Sequence, residues 1–174
     1  LYPQQKTLIK VRFSKPDLLT VSYPEYSEGW QIEAYPNGDL YDNKGNYYYA
    51  LYWEELNPNP VNFKSGFNVD ADNAINFLED KLTIIGLNKK ERNEFIIYWL
   101  PILKTNKHSL VYFELTEEKQ SFNKLEITPS PDSLLRVTMH IKKVSKPKDI
   151  KPEKISSFDR VGFTAVEWGG IIYK

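Results

Sequence analysis

Apolar and polar residues alternate from the start of the chain. In TLIKVRF (Thr7 to Phe13), Ile9, Val11 and Phe13 alternate with Leu8, Lys10 and Arg12, the period of a half-buried strand. KPD (Lys15 to Asp17) predicts a turn, and LLTVSY (Leu18 to Tyr23) a strand returning from it. GWQIEAY sets Trp30, Ile32 and Ala34 against Gln31, Glu33 and Tyr35. PNGD (Pro36 to Asp39) follows, with proline to preset one turn dihedral and glycine to take a positive one. LYDNKGNYYYALYW holds a second glycine turn at Asp42 to Asn46, so three strands are expected to run as a meander. NPNPVNFKSG (Asn57 to Gly66) reads as a surface connection.

Beyond that connection the period lengthens from strand to helix. Ala71, Ala74, Ile75, Leu78, Leu82 and Ile85 form a helical stripe. Asp70 or Asp72 is expected to cap its start, and Gly86 suits the left-handed position past its end. Asn88 opens a second helix, with Glu91 placed as in a capping box. Phe95, Ile96, Trp99 and Leu100 give that helix its apolar face, and Pro101 is expected to interrupt it. A helical hairpin over about residues 70–103 follows.

Strand patterns resume in SLVYFEL (Ser109 to Leu115), KLEIT (Lys124 to Thr128), LLRVTMHIKKV (Leu134 to Val144) and VGFTAVEW (Val161 to Trp168). EEKQSFN (Glu117 to Asn123) and PSPDS (Pro129 to Ser133) read as turns, and SKPKDIKPEK (Ser145 to Lys154) as a polar loop. Strands, two helices, then strands describe an α+β fold: a mostly antiparallel sheet or sandwich with the helical pair packed on one face. No repeat or linker divides residues 1–174, which read as a single domain.

Composition sharpens this picture at three points. The 12 Tyr, 9 Phe and 4 Trp favour sheet. Lys plus Arg and Asp plus Glu are equal at 23 each, so no global field draws in nucleic acid or an anionic membrane. The chain has no Cys, which excludes disulfides, thiolate metal sites and thiol nucleophiles. No apolar run reaches the ~20 residues of a membrane-spanning helix.

YYYALYWEE carries the most suggestive chemistry. Read as one strand, it points Tyr47, Tyr49, Leu51 and Trp53 to a core face. Tyr48, Tyr52 and Glu54 then take the other face. That second face is either buried or an open row of tyrosines able to stack on a sugar ring. A carboxylate reading pairs Glu54 with Glu167, as a glycosidase would, supported by Arg136 or His140. The bland alternative makes Arg136 and Glu167 a structural ion pair. Arg136, Thr138 and His140 share a strand face opposite Leu135, Val137, Met139 and Ile141. His108 and His140 lack zinc spacing, DNKGN lacks a calcium loop's distal acid, and no metal or cofactor is expected. The lysines between Lys142 and Lys154 are diluted by Asp149 and Glu153 and read as a solvated loop rather than a nucleic-acid surface.

Several phrases together, LYPQQKT, TVSYPEYSEGWQIEAYPNGD, FIIYWLP, ITPSPDSLLRVTMHI and GFTAVEWGG, resemble a family of bacterial proteins that are secreted or attached to the cell surface. In that pattern a tyrosine would precede Leu1. The resemblance spans nearly the whole chain and implies one unit and export. It implies no catalytic residue. The resulting expectation is a non-enzymatic exported binding domain that meets a glycan or a protein partner through Tyr48, Tyr52, Glu54 and Trp30. A hydrolase using Glu54 and Glu167 is the rival. A structural module of a larger surface protein is the third reading.

Overall fold

The computed structural model describes residues 1–57 and 60–174. The connection expected over Asn57 to Gly66 therefore includes two positions, Pro58 and Asn59, outside the described residues. In chain order the strands are β1 (Thr7–Phe13), β2 (Leu19–Tyr23), β3 (Trp30–Ala34), β4 (Leu40–Tyr41), β5 (Tyr47–Tyr48), β6 (Tyr52–Glu55) and β7 (Ser65–Asp70). Helices α1 (Ala74–Ile85) and α2 (Lys89–Thr105) follow, then β8 (His108–Leu115), the short helix α3 (Thr116–Phe122), β9 (Leu125–Thr128) and β10 (Ser133–Val144). Strands β11 (Lys151–Pro152) and β12 (Thr164–Tyr173) complete an α+β fold. The chain divides into two compact units: Leu1–Pro60, Thr116–Leu134 and Arg160–Val166 form one; Val61–Leu115, Leu135–Asp159 and Glu167–Lys174 form the other. Each unit draws on discontinuous segments, so no linker in the sequence marks the division.

The first unit contains a five-stranded antiparallel sheet in the order β5-β4-β3-β1-β9. Ile9, Val11 and Phe13 face the same side as Trp30, Ile32 and Ala34 of β3 and Leu125 and Ile127 of β9, and all are buried. Burying each large apolar side chain contributes roughly 1.5–3 kcal/mol. The expected hairpin of the first two strands does not form. Both edges of β1 are occupied, by β3 and β9, and β2 pairs instead with β6 in a separate two-stranded sheet. Strands β3 and β9 offer β1 matching apolar faces, whereas Thr20, Val21 and Tyr23 of β2 are exposed. A 3-10 turn at Pro16–Leu18 replaces the tight turn such a hairpin needs.

EEKQSF is helical, as α3, where a turn was expected. Glu, Lys and Gln are good helix formers, and Glu117 and Glu118 sit in the first turn, where carboxylates favour the helix dipole. Tertiary contacts add to this. Lys119 is buried against Glu55 at 2.8 Å, and Asn123 Nδ2 donates to the other Glu55 oxygen, also at 2.8 Å.

The second unit contains the sheet β11-β7-β8-β10-β12, in which the β7–β8 and β8–β10 pairings are antiparallel and the short β11–β7 pairing is parallel. Helices α1 and α2 form the expected hairpin on one face of it. Phe77 meets Phe67 and Phe113 at 5.4 and 6.2 Å, and Phe95 meets Trp168 at 5.3 Å. Gly86 takes φ 101° past the end of α1 and donates to Leu82 and Thr83 carbonyls. The capping box also forms: Glu91 N–H donates to Asn88 Oδ1 at 3.0 Å, and Asn88 N–H to Glu91 Oε2 at 2.8 Å.

Three helical details differ from the sequence reading. Asp70 and Asp72 do not cap α1. The Asp70 carboxylate instead pairs with His108 Nδ1 across β7 and β8. Ile75 is 42% exposed, and Phe77 takes the buried position. Helix α2 also continues through Pro101 to Thr105. The carbonyl that loses its donor belongs to Ile97, which is 75% exposed, so water can serve it.

Candidate functional site

The aromatic stretch is not one strand. It breaks between Tyr48 and Tyr52, placing β5 at the edge of the first unit's larger sheet and β6 beside β2. The simple alternation of its side chains is lost with it. Leu51 and Trp53 still turn inward: Trp53 packs on Phe13 and Trp30, with ring centres 5.0 and 5.9 Å away. Tyr48 also rests partly on this core, because its register partner is the buried Leu40.

The β2–β6 pairing assembles an exposed aromatic cluster. Tyr23 lies opposite Tyr52, and Val21 opposite Glu54. The Tyr23 ring meets Tyr48 edge to face at 5.5 Å, and Tyr52 Oη donates to Glu54 Oε1 at 2.6 Å. Tyr23 is 65% exposed and Tyr52 49%. Three of the four sequence-proposed contact residues, Tyr48, Tyr52 and Glu54, therefore share a neighbourhood, joined by Tyr23. The fourth, Trp30, is removed from this surface. It is 4% exposed, its indole N–H donates to the Pro24 carbonyl at 2.9 Å, and Phe13 and Tyr26 pack on its ring. Sequence reasoning missed Tyr23 because its strand partner, Tyr52, lies 29 residues downstream, and nothing local sets that register.

Behind Tyr48 stands the turn Asp42 to Asn46. The Asp42 carboxylate accepts from Lys44 N–H (2.8 Å), Asn46 N–H (2.9 Å), Asn46 Nδ2 (2.8 Å) and Tyr48 Oη (3.2 Å). The Asn46 side chain chiefly, with the two backbone donors and Tyr48, holds its pKa down to about 2. Burial, then the Asp42 carboxylate, pushes the Tyr48 phenol up, so it remains a neutral donor at physiological pH. A depressed carboxyl contributes stability above its ordinary value of 3.8 and loses it as pH falls through about 2. A carbon-detected NMR titration of Asp42 is therefore expected to show a midpoint near 2, with the Lys44 and Asn46 amide shifts following it; a midpoint near 3.8 would mean the turn is open in solution.

On the other face of this sheet, Tyr35, Tyr41 and Tyr47 form a ladder with successive ring centres 5.5 Å apart. Lys6 lies 5.5 Å over Tyr35 and pairs with Glu33 at 2.8 Å, and Tyr47 Oη donates to Asp39 at 3.1 Å. These polar partners engage the Lys6 charge and the Tyr35 and Tyr47 hydroxyls.

The rival constellation is divided between units. Glu54 belongs to the first, and Arg136, His140 and Glu167 to the second. Arg136 is fully buried, and its Nε donates to Glu167 Oε2 at 2.6 Å. On the same face of β10, buried His140 contacts Glu114 Oε2 through Nε2 at 3.2 Å and Tyr173 Oη through Nδ1 at 2.9 Å. Tyr173 Oη also accepts from Val61 N–H at 3.2 Å. Tyr173 Oη thus bridges the Val61 N–H and His140 Nδ1, and the imidazole bridges Tyr173 and Glu114. This chain ties β8, β10, β12 and the segment at Val61 together. Among the described residues, no group of three or more His, Asp or Glu side chains converges as a metal site would require.

Comparison with family models, with curated proteins and with solved structures found no match to this chain.

Proposed function

We propose that this chain is a non-enzymatic binding domain of an exported protein, and that it recognises a glycan through Tyr23, Tyr48, Tyr52 and Glu54. The observation that carries this reading is the exposed tyrosine cluster with a carboxylate in its midst. A saccharide presents apolar C–H faces and a rim of hydroxyls. Tyrosine rings cover the first, and phenols and a carboxylate hydrogen-bond the second. The Tyr52–Glu54 hydrogen bond and the Asp42–Tyr48 hydrogen bond hold two of these groups in place before any ligand arrives, which lowers the entropy lost on binding. Glu54 is engaged by a phenol and Glu167 by a guanidinium, an arrangement suited to binding and packing rather than to a free acid and base.

The test is calorimetric and NMR titration of the intact chain with soluble gluco-, chito- and xylo-oligosaccharides. At least one series is expected to bind saturably and to shift the Tyr23 and Tyr52 ring signals. Tyr23→Ala/Tyr52→Ala should weaken that binding about tenfold or more, since each aromatic contact is worth ~0.5–1.5 kcal/mol. Both side chains are exposed, so the variant should keep its fold. Undiminished affinity in the double variant would remove this site. Silence toward every glycan, combined with protection of these rings by a protein partner, would turn the reading to protein recognition.

A further inference from the structure

The second unit contains an open groove of about 460 Å³, formed where the end of β10 and the residues after it meet the segment Val61–Phe63. Lys142, Lys143 and Lys148 line it, and no Asp or Glu does. Among the described residues none of these ammonium groups lies in an ion pair. The chain as a whole has no net charge, so three lysines in one concave place make a local positive field that the total conceals.

The remaining lining defines what the anion is attached to. Asn62 and Ser145 supply neutral donors and acceptors suited to hydroxyl groups. Phe63 and Val61 supply apolar surface, with Leu110 below them. Phe63 stands edge to face with Tyr173, ring centres 5.5 Å apart at 88°. Tyr173 in turn is held through His140 to Glu114, and accepts the Val61 N–H. The wall of the groove is thus fixed by a hydrogen-bonded chain that starts in the sheet's buried polar row, which pre-positions it for a ligand. A volume of this size accommodates one or two sugar rings.

We infer that this groove binds an anionic saccharide, a sugar carrying a phosphate, sulfate or carboxylate, with the lysines holding the charge, Asn62 and Ser145 the hydroxyls and Phe63 the ring. The site is separate from the tyrosine cluster and does not depend on it.

The experiment is an amide NMR titration of the full chain at low ionic strength with glucose 6-phosphate, glucose 6-sulfate and glucuronate. Glucose and inorganic phosphate serve as the half-ligands. At least one anionic sugar is expected to shift the Asn62, Phe63 and Ser145 amides saturably, at least tenfold more tightly than either half-ligand. Lys142→Gln/Lys148→Gln should weaken it at least tenfold. Raising the salt should weaken it too, since exposed charges are screened over ~10 Å at 0.1 M. Tyr23→Ala/Tyr52→Ala should leave it unchanged, so that failure here is distinct from failure at the tyrosine cluster. No saturable shift with any of the three sugars would overturn the inference. So would equal affinity for inorganic phosphate, or unchanged binding in the lysine variant, whose exposed positions leave folding intact.

Discussion

Glu167→Gln is expected to destabilise the second unit by about 3–5 kcal/mol, the cost of breaking a buried ion pair by removing one partner. Arg136 is fully buried, and the arginine guanidinium is a charged group. The amide keeps the shape of the carboxylate but not its charge, so the buried cation loses the negative charge that its Nε meets at 2.6 Å. The pair itself is a different matter. Two charges taken out of water lose hydration that their attraction only partly restores, so Arg136→Met/Glu167→Leu should recover most of the stability lost by the single variant. Urea unfolding of the wild type, both single variants and the double variant measures this directly. If Glu167→Gln lies within about 1 kcal/mol of wild type, the pair is solvent-relaxed and the stated role is wrong.

The second large effect is expected at Gly66. This residue takes φ 145° in β7, and a Cβ built there would lie within van der Waals overlap of the Val111 carbonyl oxygen of β8. A backbone atom cannot swing aside as a flexible side chain would. Gly66→Ala must therefore separate two paired strands, and also force an L-residue into a conformation it rarely adopts. Strain of this kind costs roughly 1–3 kcal/mol, and overpacking roughly as much again. The same carbonyl–amide neighbourhood ties in β11, since the Glu153 N–H donates to the Gly66 carbonyl at 3.3 Å and the Glu153 carboxylate accepts from Phe113 N–H at 3.0 Å. Gly66→Ala should lower the urea midpoint and accelerate hydrogen exchange across β7 and the edge of β8. Gly45→Ala is the matched control. Its φ of 79° is also positive, but no atom lies within 4 Å of the added Cβ, so it isolates the dihedral cost from the collision. Equal losses in the two variants would mean that the strands yield without penalty.

Local features of this chain were legible in advance wherever a single segment carries its own physics. The helical hairpin is one case: the Asn88–Glu91 reciprocal bonds and the left-handed Gly86 depend only on residues within four positions of each other. The alternation in Thr7–Phe13 and Trp30–Ala34 is another, since the inward residues of a strand are set by its period of two. The face shared by Arg136 and His140 followed from that same period, and the Arg136–Glu167 contact needed only one long-range partner.

Strand pairing was not legible. β1 could not be assigned to β3 rather than β2 from either strand alone, because the choice rests on which neighbour completes the apolar face and on β9, over a hundred residues away. The aromatic stretch was misread for the same reason: its break after Tyr48 exists because two different sheets claim its two ends. The candidate glycan surface inherits this. Tyr48, Tyr52 and Glu54 are visible as a dense aromatic run, but Tyr23 joins them only through the β2–β6 register, and Trp30 leaves them only because Phe13, Tyr26 and Trp53 close over it. The lysines of the groove look like a solvated loop until the Val61–Phe63 segment is brought against them. By itself the sequence determined the strand and helix periods, the Gly86 and Asn88–Glu91 caps and the absence of any thiol chemistry, because these arise from neighbouring atoms along the chain. Which strands pair, which tyrosines remain in water and which lysines share a groove were decided by tertiary structure alone, because each is a contest among partners distant in sequence, settled by total burial and hydrogen bonding rather than by local preference.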